Sequence, residues 1–297
     1  MQKKKVGIVI VHYGDKNDTF ECLRSLKKTT YPHTKHYVVD NGTNTLKQAE
    51  IQQFLPSALL LTEKRNKGFS AGCNRGIQKA LQDNCSYILI LCNDLIVTSD
   101  IIEKLLKPMD DPKIGITGST ITYYKQRKKI WFAGGYVNRL FCFTRHTNMN
   151  RPISTFKQDA FTDFITGTAL MIKREVFDTI GLFSDAYFLY FEDVDFCIRA
   201  KQHGFLVKVI TKPLVYHKVS ASTGIKGENK LNALRAYYYA RNPFIFMKKN
   251  KYPTLSGAIG QFAIRLPYNI FSLADFNAGR SYLKGLIDGT KYLLKSS

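Results

Sequence analysis

The segment at residues 66–76 is the strongest constraint on this chain. It reads NKGFSAGCNRG and is followed by the apolar run YILILC at residues 87–92, which ends at Asn93 and Asp94. Small residues let the backbone approach a bulky ligand closely, and amide and guanidinium groups supply hydrogen-bond donors beside it. The candidate ligand-binding residues are Asn66, Gly68, Asn74 and Arg75. A glycine-rich turn or an acid after a strand is common by itself, but this order of elements predicts a nucleotide-sugar site.

Strand-like and helix-like segments alternate from the start of the chain. The apolar runs lie at residues 6–11, 37–39, 58–61 and 87–91, and the helical patterns at 18–28, 46–55 and 69–81. Repeated strand–helix units predict an α/β fold with a mostly parallel central sheet flanked by helices. In such sheets, ligands bind beyond the carboxyl ends of the strands. The polar pairs expected to converge there are His12-Tyr13, Asp40-Asn41 and Asn93-Asp94.

The alternation weakens after residue 94. Longer strands or hairpins are expected at residues 114–122, 130–137 and 161–172, shorter strands at 207–210 and 214–217, and helices at 177–183 and 192–202. A polar stretch at residues 145–158 predicts a loop, and the second of the two helices begins with acidic residues, as helix dipoles favour.

Composition excludes several classes of protein. A chain of 297 residues with 44% hydrophobic content buries a large core and is not disordered. Its six cysteines have no CxxC spacing, which indicates reduced thiols in a cytosolic protein and argues against a zinc site. The first apolar run is too short for a signal peptide, and no stretch is long enough to predict an ordinary membrane-spanning helix.

The formal net charge is +21, and from Lys201 onward sixteen Lys and Arg stand against three acids. Such a charge favours an anionic partner: a pyrophosphate-bearing substrate, an anionic lipid or a nucleic acid. Basic residues alternate with apolar ones at residues 236–249 and 259–271, which is typical of a helix in a lipid headgroup layer. The alternative is that these helices pack on the main domain with solvated lysines. Nucleic-acid binding is suggested by charge alone, without a recognisable recognition module.

Seven motifs together make the chain resemble a family 2 glycosyltransferase, of the rhamnosyltransferase-like branch that builds bacterial surface polysaccharides. They are IVIVHY at residues 8–13, VDNGT at 39–43, the segment at 66–76, CND at 92–94, GTALMIKREVF at 167–177, YFEDVDFCIRA at 190–200, and VYH at 215–217 with residues 220–223. The resemblance covers roughly the first three quarters of the chain. It implies the GT-A fold, with a nucleotide-sugar-binding and catalytic domain at residues 1–225 and a helical segment at 226–297.

The resemblance also implies roles for individual residues. Asp40 corresponds to the acid that binds the donor's base and ribose, although an Asx-turn role before Gly42 is the alternative. The other expected donor-binding residues are His12, Tyr13, Asn41, Asn66, Gly68, Asn74, Arg75 and Asn93. Arg75 is equally compatible with a solvated helix position.

The CND motif stands where the family carries its metal-binding DXD motif, with Cys92 in place of the first acid. Hard cations such as Mn²⁺ or Mg²⁺ prefer oxygen ligands, so Asp94 and the donor phosphates are expected to hold the ion without Cys92. The resemblance makes His217 a second ligand. The alternatives are a helix-capping role for Asp94 and a hydrogen-bonded core histidine at His217.

Glu192 and Asp193 are the expected catalytic acids. An acceptor hydroxyl must lose its proton as it attacks the donor sugar, and a carboxylate is a suitable base. The resemblance assigns this role to Asp193 and an orienting role to Glu192, while Asp195 is expected to pair with Arg199. The alternative is that these acids only stabilise a helix N-terminus.

These residues predict an inverting, metal-dependent transfer of a hexose or deoxyhexose from a dTDP- or UDP-sugar to a saccharide. The acceptor is expected to be lipid-linked, and the protein to lie peripherally on the inner face of a bacterial membrane. A non-catalytic nucleotide-sugar or glycan binding module is the alternative, because Cys92 removes an expected oxygen ligand.

Overall fold

The computed structural model describes residues 4–219 and 230–295. Its strands are β1 Val6–His12, β2 Thr34–Asp40, β3 Leu59–Thr62, β4 Tyr87–Cys92, β5 Leu95–Val97, β6 Ile114–Tyr123, β7 Ile130–Phe132, β8 Gly135–Val137, β9 Thr144–His146, β10 Ala160–Phe161, β11 Ala169–Lys173 and β12 Leu206–His217. Its α-helices are α1 Lys16–Leu26, α2 Gln48–Gln52, α3 Phe69–Gln82, α4 Ile101–Leu106, α5 Arg174–Ile180, α6 Glu192–Gln202, α7 Ala233–Lys249, α8 Thr254–Ile259, α9 Leu266–Ile270 and α10 Phe276–Leu294.

The main sheet has the strand order β10-β12-β6-β11-β4-β1-β2-β3. Strands β1, β2, β3 and β4 run parallel, and β6 runs parallel to β12, whereas β11 runs antiparallel to both β4 and β6. Short strands β5 and β7 add antiparallel pairs at β12 and β6. The expected mostly parallel sheet is therefore confirmed, with one reversed strand inside it.

Small residues set the distance between α3 and the sheet. A Cβ on Gly76 would lie 2.3 Å from Val9 Cγ1, and one on Gly72 would lie 2.9 Å from Val11 Cγ1. Every residue of β1 is buried, so this face has no room to retreat. The close approach that Gly72 and Gly76 permit is therefore to β1, and not to a ligand as the sequence suggested.

The second half of the chain departs from the expected elements in three places. The run at 130–137 is broken into β7 and β8 at Gly134, whose φ of 98° favours glycine. The segment at 161–172 contains only the end of β10 and most of β11. The two strands expected at 207–210 and 214–217 form one strand, β12, whose register shifts on either side of Pro213.

Other expected features agree with the structure. Helix α5 ends at Gly181, with a φ of 73°, and α6 occupies the predicted residues 192–202. The six cysteines are free, and all but Cys92 are buried. The predicted loop at 145–158 includes the end of β9 and a single helical turn, Ile153–Thr155.

The carboxyl-terminal helices form a layer beside the sheet. Helix α7 packs along α10, where Gly285 and Gly289 lie against α7: a Cβ on Gly285 would lie 2.3 Å from the carbonyl oxygen of Tyr237. Within the described ranges, no helix combines the length and apolar content that crossing a bilayer requires. The predicted boundary at 225/226, and the motif residues at 220–223, lie outside the described residues.

Candidate active site

Polar residues from several strands meet at one edge of the sheet. His12 ends β1, Asp40 ends β2, Cys92 ends β4 and His217 ends β12. These strands run in the same direction, so their carboxyl ends share that edge. The sequence-predicted convergence of the β1, β2 and β4 ends is therefore observed.

Asp40 organises the loop that follows β2. Its carboxylate accepts hydrogen bonds from the backbone N–H groups of Thr43, Asn44, Thr45 and Leu46 and from the Thr43 hydroxyl, at 2.8 to 3.4 Å. Burial opposes ionisation of Asp40, but these bonds outweigh it and lower the pKa of its carboxyl. The side chain is fully buried, as the Asx-turn alternative requires. Direct contact between Asp40 and a donor stays a prediction.

His12 and Asn93 belong to one buried network. His12 Nδ1 lies 2.7 Å from Thr19 Oγ1, and Nε2 lies 3.0 Å from Thr45 Oγ1. The amide of Asn93 donates to the same Thr19 oxygen at 3.1 Å. Burial lowers the pKa of His12, against the opposing charges of Asp40 and Asp15, so the ring is neutral near pH 7.

Asn41 joins the end of β2 to the start of α3. Its amide nitrogen donates to Asn66 Oδ1 at 3.1 Å and to the Gly68 carbonyl at 2.9 Å. Asn66 in turn accepts from the Gly68 N–H at 2.8 Å. Three residues predicted to bind the donor are therefore held in one rigid turn.

Gly68 and Asn74 lie against the loop before α6. A Cβ on Gly68, whose φ is 90°, would lie 2.4 Å from the Phe188 carbonyl oxygen. Asn74 donates to the Phe183 carbonyl and accepts from the Phe183 N–H, at 2.9 and 3.1 Å. Asn74 thus fastens the loop at residues 183–188 and Gly68 packs closely against it, while donor contacts by both stay predictions.

Asp94 and His217 face each other across the sheet edge. Asp94 Oδ2 lies 3.2 Å from His217 Nε2, and the ring of Trp131 packs edge-on against His217 at 4.3 Å between centroids. Asp94 is 1% exposed. Burial alone would raise the pKa of its carboxyl, but His217 and Lys218 outweigh burial and lower it.

These two side chains fit a divalent ion that phosphates also coordinate. Adjacent ligands of an octahedral Mg²⁺, with bonds of about 2.1 Å at right angles, are about 3.0 Å apart, close to the observed 3.2 Å. His217 Nδ1 is buried without a hydrogen-bond partner in the structure. In the described part of the chain, no group of three or more His, Cys, Asp or Glu is placed to hold an ion. Further ligands would therefore have to come from the donor or from water.

Cys92 lies between the two acidic sites. The charges of Asp94, Glu192 and Asp193 all act on its thiol, and together with burial, the largest cause, they raise its pKa well above the ordinary value. A protonated thiol is a poor ligand for a hard cation. This supports the expectation that Cys92 does not bind the metal, which stays a prediction, and Asp94, Glu192 and Asp193 all act on the same thiol.

Glu192 and Asp193 form the first turn of α6. Asp193 accepts from the Gly167 N–H at 2.7 Å and from the Val194 N–H at 2.8 Å. Glu192 is 5% exposed, and its Oε2 is buried without a partner in the structure. Hydrogen bonds thus hold Asp193 in place, whereas one carboxyl oxygen of Glu192 has no hydrogen-bond partner in the structure.

Burial dominates the protonation of this pair. It raises the pKa of Glu192 well above the ordinary value, and the neighbouring Asp193 charge adds to the effect. Burial also raises the pKa of Asp193, against the hydrogen bonds from Gly167 and Val194. The helix-terminus alternative accounts for acids at this position but not for one left without a partner.

Two residues with a strained backbone directly precede the acid pair. Tyr190 and Phe191 have φ values of 69° and 72°, a left-handed conformation that is costly for such residues. Helix α7 holds this backbone: Asn242 donates to the Leu189 and Tyr190 carbonyls at 2.7 and 2.8 Å, and Arg235 donates to the Tyr190 hydroxyl at 2.5 Å. The predicted Asp195–Arg199 pair forms at 2.8 Å on the far side of α6.

Two predicted donor-binding residues lie apart from these networks. Tyr13 is 42% exposed at the end of β1. Arg75 is exposed on α3, where its Nε lies 3.7 Å from Glu63. The structure therefore leaves both side chains available to a ligand without assigning them one.

Sequence reasoning missed several residues that shape the site. Thr19 and Thr45 complete the His12 network, Trp131 packs on His217, Gly167 holds Asp193, and Asn242 holds the strained backbone. Trp131 is the single tryptophan of the chain, which is a signal that could have been used. Thr19, Thr45 and Asn242 carry no such signal, because hydroxyl and amide side chains are common on helices and loops.

The chain matches the model of glycosyl transferase family 2 over residues 7–181. It is 28% identical over 226 residues to the dTDP-rhamnosyl transferase RfbF of Shigella flexneri, a match that spans 73% of this chain and 72% of RfbF. It is 24% identical over 242 residues to the N-acetylglucosaminyl-diphospho-decaprenol L-rhamnosyltransferase of Mycobacterium tuberculosis, spanning 73% of this chain and 77% of that enzyme.

Solved structures share the fold. S. aureus TarS residues 1–349, solved in complex with UDP-GlcNAc, superposes with a TM-score of 0.63 at 12% identity, over 97% of this chain and 81% of that one. The mannosyltransferase PcManGT of Pyrobaculum calidifontis, solved with GDP-Man and Mn²⁺, superposes with a TM-score of 0.56 at 14% identity, over 99% and 88%. The fold is GT-A, and the chain is a rhamnosyltransferase-like glycosyltransferase that belongs to glycosyl transferase family 2.

Proposed function

We propose that the protein is an inverting, metal-assisted glycosyltransferase of bacterial cell-surface polysaccharide synthesis. It moves a hexose or deoxyhexose, such as rhamnose, from a dTDP- or UDP-sugar to a saccharide acceptor that is carried on a lipid. The observation that carries the proposal is the pairing of two unlike acidic sites at one sheet edge. Asp94 is kept ionised beside His217, while Glu192 and Asp193 are kept ready to hold protons, and Cys92 lies between them.

Asp193 is the base in this proposal. The acceptor hydroxyl oxygen forms a bond to the anomeric carbon of the donor, the bond from that carbon to the diphosphate breaks, and the hydroxyl proton moves to the Asp193 carboxylate. A raised pKa makes Asp193 a better proton acceptor near neutral pH than an ordinary carboxylate. The Gly167 N–H holds the carboxylate in one orientation, which reduces the entropy lost in reaching the transition state.

Glu192 is the orienting member of the pair. Burial raises the pKa of the Glu192 carboxyl well above its ordinary value, so Glu192 is protonated when Asp193 is ionised. A protonated Glu192 donates a hydrogen bond to the acceptor or to Asp193, and it avoids placing two negative charges side by side.

Asp94 and His217 would hold the divalent ion, Mn²⁺ or Mg²⁺. When bound, the ion would neutralise negative charge on the leaving diphosphate. Lys218 lies beside this site, with its ammonium 2.6 Å from Asp18 and 2.7 Å from Glu21. The mannosyltransferase PcManGT, solved with Mn²⁺, has the same fold, which supports an ion here.

The donor-binding surface is the turn built by Asp40, Asn41, Asn66 and Gly68, together with His12, Asn93 and Asn74. Asn41, Asn66 and Gly68 are hydrogen-bonded to one another, and the others are bonded to Thr43, Thr19 or Phe183, so the surface is preorganised. The exposed side chains of Tyr13 and Arg75 border it and are assigned to the base and the diphosphate. The relatives named for dTDP-rhamnose and L-rhamnose transfer support a deoxyhexose donor.

A panel of nucleotide sugars tests the donor directly. We expect dTDP-rhamnose or a UDP-sugar, with Mn²⁺, to raise the melting temperature most, since a ligand at 100 times its Kd stabilises a protein by about 2.7 kcal/mol. The same donor should release its nucleotide diphosphate when a lipid-linked saccharide is added. Stabilisation by none of the dTDP- and UDP-sugars would overturn the proposal.

A non-catalytic binding module is the second candidate, and the thiol at position 92 favours it because an oxygen ligand is missing there. Donor binding without any turnover, unchanged by high Mn²⁺, would establish this candidate. Turnover that requires Mn²⁺ and Asp193 would exclude it.

A further inference from the structure

In the segment from α8 to α9, polar side chains are buried and large apolar side chains are exposed. Gln261, Arg265 and Asn269 recur every four residues, and they are 1%, 9% and 3% exposed. The apolar side chains of the segment point outward instead: Leu255 is 77% exposed and Phe271, directly after α9, is 88% exposed. A helix that packs on a protein core in water buries the opposite set.

The buried polar residues fix this orientation. Gln261 donates to the Phe141 and Cys142 carbonyls at 3.3 and 3.0 Å, and Asn269 donates to the Tyr282 hydroxyl at 2.9 Å. The Arg265 guanidinium lies 4.8 Å from the centre of the Tyr239 ring. These contacts hold the polar face inward, so the exposure of the apolar face is specified by the sequence.

Helix α10 exposes a mixed basic and apolar face beside this segment. The exposed residues of this face, spaced by helical turns, include Phe276, Arg280, Leu283, Lys284, Ile287 and Lys291. The acids Asp275 and Asp288 are engaged elsewhere: Asp275 accepts from the Ala278 N–H, and Asp288 accepts from the Tyr237 hydroxyl. Both acids keep their charge, but Arg280, Lys284 and Lys291 outnumber them, so the net charge of α10 is positive.

We propose that this surface, the carboxyl-terminal docking face, binds a lipid bilayer with anionic headgroups. We define it by Leu255, Ile259, Tyr268, Phe271 and Phe276, with the cations of α10 at its side. Apolar and aromatic side chains enter the boundary between headgroups and acyl chains, while lysine and arginine meet the lipid phosphates. The helices lie on the bilayer and do not cross it.

A second copy of the chain fits this face less well. A two-fold dimer places the same patch on both subunits, so Arg280, Lys284 and Lys291 of one copy would meet a patch that is also positive. Anionic headgroups neutralise these charges, and acyl chains accept the exposed rings. Charge complementarity therefore selects a lipid surface.

The docking face is linked to the acid pair through α7. Helix α7 packs along α10, and its Asn242 holds the carbonyls of Leu189 and Tyr190, which lead directly into Glu192. Through this link, a bilayer would present a lipid-linked acceptor to Asp193, a role that rests on the proposed function.

Vesicle flotation of the full chain tests the docking face. We expect binding to vesicles of phosphatidylglycerol and phosphatidylcholine in equal parts, and loss of at least tenfold in affinity for the variant Leu255→Ser, Tyr268→Ser, Phe271→Ser. The variant Arg280→Gln, Lys284→Gln, Lys291→Gln should lose about fivefold per cation and most of its salt dependence. All six side chains are exposed, so the melting temperature of each variant should match that of the wild type.

The matched control removes exposed aromatic residues elsewhere. Phe161→Ser with Tyr136→Ser, at positions 62% and 40% exposed, should bind vesicles as the wild type does. Equal flotation of the wild type and the Leu255, Tyr268, Phe271 variant would overturn the docking face. So would a wild type that does not bind these vesicles and forms dimers that this variant disrupts.

Activity separates this inference from the proposed function. With a water-soluble saccharide acceptor, the Leu255, Tyr268, Phe271 variant should turn over like the wild type, and with the lipid-linked acceptor in vesicles it should be slower. An inactive wild type that still floats would contradict the proposed function and leave lipid docking supported. An active wild type that never floats would do the reverse.

Discussion

Asp94 and the Glu192–Asp193 pair are all acidic, lie near the same thiol and are all largely removed from water, yet their protonation is tuned in opposite directions. The pKa of Asp94 is lowered, whereas the pKa values of Glu192 and Asp193 are raised. Burial pushes all three upward. Only Asp94 has an imidazole at 3.2 Å and a lysine beside it to outweigh that push.

The difference teaches that the neighbours of each carboxyl, and not its residue type, decide the direction in which its pKa shifts. A carboxylate that stays ionised suits an ion or a diphosphate, and one with a raised pKa suits proton transfer. Cys92 is influenced by the charges of both kinds, and its neutral thiol adds no further charge. Each prediction below alters one side of this comparison.

Asp193→Asn should have the largest effect. Removal of a general base costs about 100- to 10,000-fold in turnover, while donor binding should stay close to that of the wild type. Turnover is measured as release of nucleotide diphosphate, and donor binding as thermal stabilisation.

Asp178→Asn is the matched control, because Asp178 is an exposed acid that pairs with Arg174 on α5. It should leave both measurements unchanged. Normal turnover by Asp193→Asn would show that Asp193 is not the base. The raised pKa of Asp193 would then have no role in proton transfer.

Asp94→Asn should act on the other member. Altering groups that only support a metal ligand costs about 10- to 100-fold in metal affinity, so changing a ligand should cost at least about tenfold. The measurement is the Mn²⁺ concentration that gives half of the donor-dependent rise in melting temperature. Asp100→Asn, at an exposed pair with Lys212, should not change it. An unchanged Mn²⁺ requirement in Asp94→Asn would show that the ion, if any, lies elsewhere.

Cys92→Asp should blur the comparison by adding an acid between the two sites. An oxygen ligand beside Asp94 should lower the Mn²⁺ requirement several-fold. In the metal-free protein, the added negative charge should raise the pKa of Asp193 further, which the pH dependence of the melting temperature measures. Cys92→Ser supplies a neutral control of similar size. Equal behaviour of the two variants would contradict the position of Cys92 between the sites.

The βα order, the parallel sheet and the edge where the site lies were predictable, because hydrophobic periodicity and strand direction are local properties of the sequence. The carboxyl ends of β1, β2 and β4 needed no further information. The break at Gly134 and the continuity of β12 through Pro213 were not predictable, since strand length there depends on neighbouring strands.

The roles of single polar residues were harder to predict than their location. Asp40 was expected to face a ligand, and its carboxylate is surrounded by the N–H groups of its own loop. Asn74 was expected beside the donor, and it fastens a loop more than a hundred residues later in the chain. A motif names a residue type, but which partner satisfies it is decided by contacts that are distant in sequence.

The smallest expected effects are on stability, and they should have opposite signs at the two sites. For Glu192, whose pKa is raised on folding, the native state binds more protons than the unfolded state, so the free energy of unfolding falls as pH rises from the ordinary carboxyl pKa through the raised one. Glu192→Gln removes this loss. At pH 8 its melting temperature should rise by about 2–4 °C, the shift that about 1 kcal/mol produces in a domain of roughly 200 residues.

Asp94 should show the reverse. Its lowered pKa contributes stability above the ordinary carboxyl pKa, and that stability is lost as pH falls through the lowered value. Asp94→Asn should therefore melt below the wild type at pH 8, and Asp178→Asn should match the wild type throughout. The measurement is the melting temperature from pH 5 to 8 without metal. A raised pKa means that the ionised Glu192 destabilises the fold at pH 8, so its removal should raise the melting temperature. If Glu192→Gln instead melted below the wild type at pH 8, the ionised Glu192 would stabilise the fold as Asp94 does. The opposite tuning of the two sites would then be contradicted.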